Sequence, residues 1–332
     1  MPNSAAILTI GNAIVDVIAQ ASDDFVTEQG MMKNAMNLID AERADQLYQA
    51  IGPATESSGG SAANTAAGIA FLGGNAGFIG KVGEDILGRI FRHDIEAIGV
   101  DLHVAIDAQL QTACSYILVT PDKKRTMNTY LGASIELRPE DMNPAAIAAA
   151  DIVYIEGYLY DAPAGPACWD KIVDIAKAAG TKIAISLSDE WCVDRHRKAM
   201  VDFITQHTDI VLCNLDEVKL LFQTDKENAI QQLRQMVAEA AITDGPHGSL
   251  AFAGDDIAET DADLDVQVLD TTGAGDLYAS GYLYARHKGA SLKDAISLAR
   301  LTASEVISHI GARPQTDLRE MASQQFPALF KD

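Results

Sequence analysis

The second half of the chain alternates short apolar runs with longer amphipathic segments. The predicted elements, in chain order, are a strand at 152–155, a helix at 166–179, a strand at 182–187, a helix at 190–207, and strands at 210–213, 241–243 and 249–252. Strands that alternate with helices form a parallel sheet covered by helices on both faces. The pattern therefore predicts an α/β fold with a mainly parallel central sheet flanked by helices.

The first half of the chain also contains strand-like and helix-like patterns, but they alternate less regularly. Residues 7–19 are rich in β-branched side chains and predict one largely buried strand, with a polar interruption that includes Asn12 and Asp16. The elements predicted after it are helices at 62–72 and 86–98, each ended by glycine, and two strands at 114–120 and 125–130 joined by a turn.

Alternating apolar and polar residues at 264–268 predict a half-buried strand, and the apolar residues of 277–286 predict a helix buried within the protein. A second long helix is predicted at 291–310. Between the strand and the first helix, Gly273, Ala274 and Gly275 let the backbone turn and leave amide N–H groups uncovered by side chains. Amides that converge at a helix N-terminus favour an anion.

Asp276 follows these small residues, in the first turn of the predicted helix. An acid in that turn stabilises a helix by only about 0.3–1 kcal/mol, so helix stability alone does not select a carboxylate here. One interpretation is chemical. Asp276 is a general base that takes a proton from a hydroxyl, while the amides of Gly273, Ala274 and Gly275 hold a transferring phosphoryl group.

Two other interpretations of this turn compete with the chemical one. Gly273, Gly275 and Ala279 match a dinucleotide-binding fingerprint, but that motif needs a strand ending in an acid about 20 residues later, where 290–310 predicts a helix. An acid at Asp276 would also repel a pyrophosphate on the same amides. The remaining interpretation is a glycine turn with an acidic helix start and no chemistry.

Three motifs together resemble those of one family. Asp270-Thr271-Thr272-Gly273-Ala274-Gly275-Asp276 resembles the C-terminal signature of the ribokinase-like (PfkB) family of sugar and nucleoside kinases. Gly59-Gly60-Ser61-Ala62-Ala63-Asn64-Thr65-Ala66 resembles its N-terminal signature, and Asn214-Leu215-Asp216-Glu217 its N-x-x-E motif. The motifs follow the family's order and spacing, so the resemblance spans nearly the whole chain.

The resemblance implies a three-layer ribokinase-like fold, with one kinase domain over residues 1–332 and a small β lid from parts of about 14–40 and 103–135. It also implies that Asp16 accepts hydrogen bonds from substrate hydroxyls. From the residues alone, Asp16 could equally lie at a strand end near the surface. The residues assigned to the acceptor substrate are Asn12, Asp16, Gly59, Gly60 and Asn64, with Met36, Tyr116 and Ala133 as lid candidates.

Asn214 and Glu217 lie three residues apart at a predicted helix start, where they can form a capping box. The resemblance adds a second role, in which the pair organises magnesium waters and the phosphates of ATP. The nucleotide contacts implied in this way are Asn214, Glu217, Thr243, Gly245, Gly248, Thr271, Gly273 and Gly275. Carbonyls of the loop at 311–314, together with Asp270 and Thr272, are implied to enclose a potassium ion near the anion-binding turn.

The net charge of the chain argues against certain classes of binding partner. The 332 residues include 25 Lys and Arg against 47 Asp and Glu, a formal net charge of -22. This excess of acid argues against nucleic acid or an anionic membrane as a partner. An anionic substrate such as ATP must then be held by backbone amides, helix ends, metal ions and a few basic side chains.

The four cysteines are widely spaced and form no C-x-x-C pair, which predicts reduced thiols and a cytoplasmic protein. The first residues lack a basic segment, and Asn12 and Asp16 interrupt the apolar run at 7–18. Neither a signal peptide nor a membrane span is therefore predicted. The expected partners are small molecules, and the chain is expected to be a monomer or a homodimer.

These observations predict a Mg-ATP phosphotransferase that acts on a primary hydroxyl. An adenosine-like nucleoside is the favoured acceptor, because residues 11–16 and 60–65 most resemble adenosine kinases. The alternative acceptor is a simple sugar such as fructose, ribose or 2-keto-3-deoxygluconate. A catalytically silent nucleotide-binding regulator is a third hypothesis, although such a protein would have no need of a base at Asp276.

Overall fold

The computed structural model describes residues 5–262 and 266–331 of the chain. Within these ranges the strands are β1 (Ile7–Ile10), β2 (Ile14–Gln20), β3 (Met36–Leu38), β4 (Ala54–Gly59), β5 (Ala76–Gly83), β6 (Asp101–Asp107), β7 (Ala113–Val119), β8 (Arg125–Tyr130), β9 (Ile152–Glu156), β10 (Lys182–Ser186), β11 (Ile210–Asn214), β12 (Glu239–Thr243), β13 (Ser249–Ala253) and β14 (Asp256–Thr260). The helices are α1 (Asp23–Glu28), α2 (Ala41–Ala50), α3 (Ser61–Phe71), α4 (Ile86–Ala97), α5 (Pro144–Ala149), α6 (Gly165–Ala179), α7 (Glu190–His207), α8 (Leu215–Phe222), α9 (Lys226–Met236), α10 (Ala274–His287), α11 (Leu292–Ile307) and α12 (Leu318–Gln325).

Nine strands form the larger sheet, in the spatial order β14-β13-β12-β11-β10-β9-β1-β5-β6. Its neighbouring strands are parallel from β6 to β12, and β13 and β14 complete the sheet as antiparallel strands. Along β9, Ile152 and Tyr154 face one cluster of buried apolar side chains, whereas Val153 and Ile155 face another. Helices cover both faces, so the predicted α/β fold with a mainly parallel sheet is confirmed.

Most predicted elements of the second half agree with the structure to within a few residues. The helix predicted at 190–207 is α7, and the strands predicted at 182–187 and 210–213 are β10 and β11. The helix predicted at 291–310 ends earlier, at Ile307. None of the helices in the described ranges combines the length and the apolar character that a membrane span requires.

Residues 7–19 form two strands, so the prediction of a single strand was wrong. β1 pairs with β5 and β9 in the larger sheet, whereas β2 pairs with β4 and β7 in a second sheet. The polar interruption at Gly11 and Asn12 is where the chain leaves one sheet for the other. Apolar periodicity did not separate the two strands because both carry buried side chains.

The prediction of a strand at 264–268 is also wrong for the described residues 266–268. Leu264 and Asp265 lie outside the described residues, and residues 266–268 are not in a strand. The amides of Leu269 and Asp270 both donate to the carbonyl of Ile307, at 2.8 and 3.3 Å. The end of α11 therefore holds this segment, and no neighbouring strand does so.

Five strands form the second sheet, in the order β3-β8-β7-β2-β4. It includes strands from both ranges predicted for a β lid, but it also includes β4, which lies outside those ranges. Residues 103–107 belong to β6 and therefore to the larger sheet. Each sheet thus takes strands from separate parts of the first half of the chain.

The two faces of the second sheet have different neighbours. Residues in register share a face, so Asp16 of β2, Ser115 of β7 and Thr129 of β8 lie on one side, which we call the inner face. The hydroxyls of Ser115 and Thr129 are 2.9 Å apart, as a shared face requires. The outer face carries Val15 and Val17, which pack in the same buried cluster as residues of α2.

Helix α10 lies between α3 and α11 and is buried along most of its length. Two glycines permit this packing. A Cβ on Gly68 of α3 would lie 2.6 Å from the Cβ of Ser280, and a Cβ on Gly281 would lie 2.6 Å from Oγ1 of Thr302. Overpacking of this kind typically costs about 1–3 kcal/mol. The glycines therefore set how closely the three helices approach, and so where α10 begins.

Candidate active site

The glycine-rich turn ends at the N-terminus of α10. Gly273 caps the helix with a left-handed φ of 75°, and a Cβ there would lie 2.8 Å from the Cβ of Ala312. The amide of Ala274 donates to the carbonyl of Thr271 at 3.2 Å. This amide is therefore already engaged within the turn. Gly275 faces open space, since no atom lies within 4 Å of a Cβ built there. The turn thus leaves room at the helix start, where backbone N–H groups have no intrahelical acceptor.

Two side chains of α3 hold the Asp276 carboxylate. Ser61 Oγ donates to Oδ1 at 2.6 Å, and Asn64 Nδ2 donates to Oδ2 at 2.8 Å. Burial raises the pKa of Asp276, whereas these two hydrogen bonds oppose the rise. The structure therefore brings together two motifs that are separated by more than two hundred residues and orients the carboxylate beside the open turn.

Two buried amide oxygens face this region without a partner. Asn12 Oδ1 and Asn64 Oδ1 accept no hydrogen bond from any described residue, although the two side chains are only 5% and 4% exposed. A buried acceptor left unsatisfied costs about 1–3 kcal/mol, so such atoms in a folded protein call for an explanation. Each oxygen could accept one hydrogen bond from a hydroxyl group of a bound ligand.

Glu156 is a functional residue that the sequence analysis did not select. It is fully buried at the end of β9, and it accepts the backbone N–H of Asn12 at 2.7 Å and that of Ala62 at 2.9 Å. Burial raises its pKa to about 8, and the two N–H donors oppose this rise. A Cβ on Gly11 would collide with the carboxylate, which explains the glycine. The sequence signal was an acid at the carboxyl end of a predicted parallel strand.

Asp16 lies on the inner face of the second sheet, packed against Gly59, where a Cβ would collide with its carboxylate. Burial is the largest cause that raises the pKa of Asp16, from an ordinary 3.8 to about 7. The guanidinium of Arg313 opposes the rise, whereas the Asp276 carboxylate strengthens it. Gly60 has a φ of 94° and approaches the carbonyl of Asn12 too closely for any side chain. The two glycines let the backbone pack against Asp16 and Asn12, and their predicted contact with a substrate stays a prediction.

Arg313 is a second residue that the sequence analysis missed. It lies in the return loop, residues 308–317, which follows α11. Its guanidinium donates to the carbonyls of Ser58 and Ala63 at 3.0 and 2.9 Å and to Ser58 Oγ at 2.9 Å. Burial lowers its pKa to about 10, against the attraction of Asp94, Asp16 and Asp276. Arg313 thus places a positive charge near carboxylates of the second sheet and of the helices α4 and α10.

The predicted lid residues do not come together. Tyr116 lies on the outer face, in β7, with its ring 6.2 Å from that of Tyr48 in α2, so it points away from Asp16. Its inner-face neighbour in the sequence is Ser115, because successive residues of a strand alternate between faces. Ala133 is buried beyond β8, and its amide donates to the carbonyl of Gln111 at 2.8 Å. Met36 is half-exposed and in register with Met127 of the inner face.

The residues predicted to contact a nucleotide lie along the carboxyl edge of the larger sheet. Asn214 and Thr243 are direct neighbours at the ends of β11 and β12. Gly245 and Gly248, both with positive φ, form the turn into β13. A Cβ on Gly248 would collide with the carbonyl of Thr260, so this glycine has a packing reason, whereas Gly245 faces open space.

A cleft beside this turn brings basic side chains together with acidic ones. It lies between the β12–β13 turn and α11, and the basic residues that line it are Lys226, His247, Lys293 and Arg300. Lys226 is paired with Asp244 at 2.8 Å. Asp244, Glu259 and Asp261 line the same cleft, so its Lys and Arg charges are matched by an equal number of carboxylates.

Glu217 suits a water-mediated contact with a magnesium ion better than direct ligation. Its Oε1 and Oε2 accept the side chain and the backbone N–H of Asn214 at 2.7 and 2.9 Å, completing the predicted capping box. Burial raises its pKa to about 7. No cluster of three or more His, Cys, Asp or Glu side chains in the described part of the chain has the geometry of a metal site.

Asp270 is engaged by protein groups on both carboxylate oxygens. Oδ1 accepts the amide of Thr272 at 2.7 Å and pairs with Arg125 Nη2 at 2.7 Å, and Oδ2 accepts the amide of Gly311 at 2.9 Å. Its side chain is 1% exposed. Thr271, beside it, is exposed. The carboxylate predicted to bind potassium therefore joins the glycine-rich turn, the return loop and the second sheet.

Comparison with known proteins gives a consistent result. The model of the pfkB family of carbohydrate kinases matches residues 30–318. Two similar solved structures are a probable sugar kinase from Rhizobium etli CFN 42 (44% identity, TM-score 0.90, 99% of this chain and 100% of that one) and an adenosine kinase from Sinorhizobium meliloti (45%, TM-score 0.89, 97% and 99%). Among curated proteins, an ATP-dependent ribose-1-phosphate kinase from Halopiger xanaduensis is 29% identical over 82% of this chain and 89% of its own length.

The raised pKa of Asp16 predicts a specific dependence of stability on pH. The folded protein holds a proton on Asp16 more tightly than the unfolded chain, so this group's contribution to stability falls as pH rises from about 4 to about 7. The melting temperature of Asp16→Asn minus that of the wild type should therefore increase across this window and stay constant above it. Asp255→Asn, in an exposed turn, is the control and should show no such trend. A melting-temperature difference between Asp16→Asn and wild type that does not vary with pH would contradict the raised pKa of Asp16.

Proposed function

The chain belongs to the pfkB family of carbohydrate kinases, and we propose that this member phosphorylates a primary hydroxyl on the ribose of an adenosine-like nucleoside. The family consists of phosphotransferases that use ATP, typically with Mg²⁺. The observation that carries the choice of acceptor is the juxtaposition of open hydrogen-bond acceptors with an apolar strip on the inner face of the second sheet.

The polar part of this arrangement suits a vicinal diol. Asp16 offers two carboxylate oxygens, which accept the protons of adjacent hydroxyls. The unpartnered oxygens of Asn12 and Asn64 add two further acceptors beside the Asp276 carboxylate. A ribose bound here would satisfy groups that are otherwise buried without a partner, and its primary hydroxyl would lie next to Asp276.

The apolar part suits a flat base. Ile18, Ile117 and Met127 are in register on the inner face, one step further along the sheet than Asp16, Ser115 and Thr129. The Cδ1 of Ile18 lies 3.9 Å from a Cβ built on Gly311, so this face points towards the return loop. A nucleobase would cover the partly exposed Ile18 and Met127, on either side of the already buried Ile117, whereas a free sugar has no comparable apolar surface.

In the proposed mechanism, Asp276 takes the proton of the primary hydroxyl while that oxygen forms a bond to the γ-phosphorus of ATP and the bond to ADP breaks. Ser61 and Asn64 hold the carboxylate in one orientation. The raised pKa of Asp276 makes it a better proton acceptor than an ordinary aspartate. The uncovered amides at Gly275 and Asp276 donate to the phosphoryl oxygens, with the helix dipole behind them.

ATP would lie along the carboxyl edge of the larger sheet, between Thr243 and the glycine-rich turn, with the cleft that contains Lys226, Lys293 and Arg300 at one side. Thr271 and Gly273 border the same turn. A magnesium ion would be held through water near Glu217 and would neutralise charge on the phosphates. The chain's own contribution is to position these phosphates against Asp276.

Two alternatives are separated by experiment. The Sinorhizobium meliloti protein is named an adenosine kinase, whereas the Rhizobium etli protein is named a probable sugar kinase and one curated relative a fructokinase. A sugar kinase would use the same base with another acceptor. A silent regulator would have no use for the two side chains that hold Asp276.

Asp276→Asn should abolish turnover while sparing ATP binding, because the amide keeps the shape of the carboxylate but does not accept the proton. Loss of a general base costs roughly 10²- to 10⁴-fold in rate. Steady-state turnover and calorimetric ATP affinity of wild type and variant test this. A variant within about tenfold of wild-type turnover would remove Asp276 from the role of base.

Gly275→Ala should lower turnover without lowering stability. The added methyl group meets no protein atom, and alanine in a helix is more stable than glycine by about 0.5–1 kcal/mol. The methyl group would, however, occupy the space where phosphoryl oxygens approach the amides, so we expect a loss of roughly 10- to 100-fold. Gly52→Ala, where a Cβ also meets open space, is the matched control. A variant with normal turnover would make the turn purely structural.

Adenosine should be phosphorylated well ahead of 2′-deoxyadenosine, because the deoxy analogue leaves a desolvated acceptor on Asp16 unpaired. The expected ratio of kcat/KM is roughly 10- to 100-fold. Asp16→Ala should remove most of this preference, and Tyr116→Phe, on the outer face, should retain it. The assay is ADP release with Mg-ATP and a panel of adenosine, 2′-deoxyadenosine, fructose, ribose and 2-keto-3-deoxygluconate. A dominant rate with any free sugar would overturn the nucleoside assignment and leave the kinase intact.

A further inference from the structure

The side chain of Arg313 contacts the chain on both sides of the Gly59–Gly60 pair. Its Nε donates to the carbonyl of Ser58 at 3.0 Å, and its Nη1 donates to the carbonyl of Ala63 at 2.9 Å. A guanidinium presents its donors in a planar fork, so one side chain holds both carbonyls at a fixed separation. The backbone between these carbonyls contains two glycines, which restrict its conformation less than other residues would. Arg313 therefore spans a segment that is not made rigid by its own sequence.

The hydroxyl of Ser58 connects Arg313 to a carboxylate of α4. Ser58 Oγ accepts a hydrogen bond from Nη2 of Arg313 at 2.9 Å and donates one to Oδ2 of Asp94 at 2.6 Å. The amide of Ser58 donates to the same carboxylate oxygen at 2.8 Å. Asp94 also supplies a nearby negative charge, which offsets the cost of burying the guanidinium. Opposite charges thus hold Ser58 from two sides.

The residue before Arg313 in the return loop packs against the glycine-rich turn. Ala312 occupies the space that a side chain on Gly273 would need, since a Cβ built there lies 2.8 Å from the Cβ of Ala312. Two consecutive residues of one loop therefore contact the turn that leads to Asp276 and the segment that leads to Asn64. The 2.8 Å hydrogen bond from Asn64 to Asp276 joins the same two parts of the chain. The return loop thus fixes both partners of this bond.

We propose that Arg313 is a positioning residue for phosphoryl transfer, which holds the start of α3 in the place where this helix meets Asp276. The side chains that depend on this placement are Ser61 and Asn64, which donate to the two carboxylate oxygens. Glu156 fixes one amide of the same helical turn, and Arg313 supplies the second point of attachment that fixes its direction. The inference rests on the proposed role of Asp276 as the base and not on the nucleoside acceptor.

Removal of the guanidinium should affect the chemical step more than the binding of ATP. Arg313→Met keeps an unbranched apolar stem but has no donor for the two carbonyls, so the start of α3 can shift. A misplacement of about 1 Å costs up to about 10²-fold in rate, so we expect kcat to fall by roughly 10- to 100-fold. KM for ATP should stay within about twofold of wild type. The assay uses the acceptor that turns over in the panel above, and a normal kcat would overturn the proposal.

Arg313→Lys separates the fork from the charge. Lysine keeps the positive charge, but its ammonium group does not present two donors at the spacing of the Ser58 and Ala63 carbonyls, so kcat should remain at least about fivefold below wild type. A lysine variant with wild-type kcat would show that the charge alone suffices and would overturn the positioning role. Arg43→Met is the matched control. Arg43 Nη2 also donates to a backbone carbonyl, that of Gln29 at 2.7 Å, but in α2 and away from the site, so this variant should match wild type.

A double-mutant cycle distinguishes positioning from a general loss of stability. In an Asn64→Ala background the helix no longer holds Oδ2 of Asp276, so a shift of the helix has less effect on the base. The factor by which Arg313→Met lowers kcat should therefore be at least about threefold smaller in this background than in wild type. An unchanged factor would show independent action and would overturn the proposal. If Arg313→Met does not fold, Arg313→Lys takes its place in the cycle.

The Asp276→Asn variant keeps this inference separate from the proposed function. Turnover by Asp276→Asn close to that of wild type would remove the base itself, and the positioning role would fall with it. An inactive Asp276→Asn protein together with a normal Arg313→Met protein would overturn only the role of Arg313. We expect both variants to be impaired, with Asp276→Asn the more severe because it loses the proton acceptor and not only its placement.

Discussion

The buried carboxylate of Glu156 is the interaction on which the geometry of the site depends. It stands at the end of β9 and holds two backbone amides, that of Asn12 where the chain leaves β1 and that of Ala62 where α3 begins. Those amides fix the directions in which both segments continue. Asn12 leads into β2 and hence to Asp16, and Ala62 leads to Asn64. A fully buried acid is unfavourable unless its oxygens are bonded, and here the backbone supplies the bonds. One side chain thereby sets the relative positions of residues from two sheets and a helix.

Much of the larger sheet could be predicted because each of its strands and helices has a recognisable pattern in its own stretch of sequence. The strands β9 to β12 are short apolar runs between amphipathic helices, and glycine ends the helix α6. The prediction of a single strand at residues 7–19 was wrong for a physical reason. β1 and β2 are both buried, so hydrophobicity continues across Gly11 while the partners change from one sheet to another. Sequence patterns describe the burial of a strand and not the identity of its neighbours.

The residues of the candidate site likewise include some that the sequence predicts and some that it does not. Asp276, Asn64 and Asp16 belong to recognisable motifs, and the structure brings their side chains together. Glu156, Arg313 and Arg125 lie outside the three motifs, and only Glu156 had a sequence signal, as an acid at the carboxyl end of a predicted strand. Tyr116 was misplaced by one position along a strand, where the odd and even residues face opposite ways. Long-range charge pairs and the facing of strands are properties of the folded chain, so neither has a local signal.

The interleaving of the two sheets has a consequence for how this protein can be remodelled. The second sheet is made from two insertions into the larger fold, β2 to β4 and β7 to β8, and its order β3-β8-β7-β2-β4 places the second insertion inside the first. Each insertion supplies one strand pair, β2 with β4 and β7 with β8, and the five-stranded sheet is completed only when β2 pairs with β7 and β3 pairs with β8. These pairings are distant in sequence, so the chain must bring them together late and slowly as it folds. For the proposed acceptor site on the inner face, transferring its preference to a related enzyme would therefore require grafting both insertions at once.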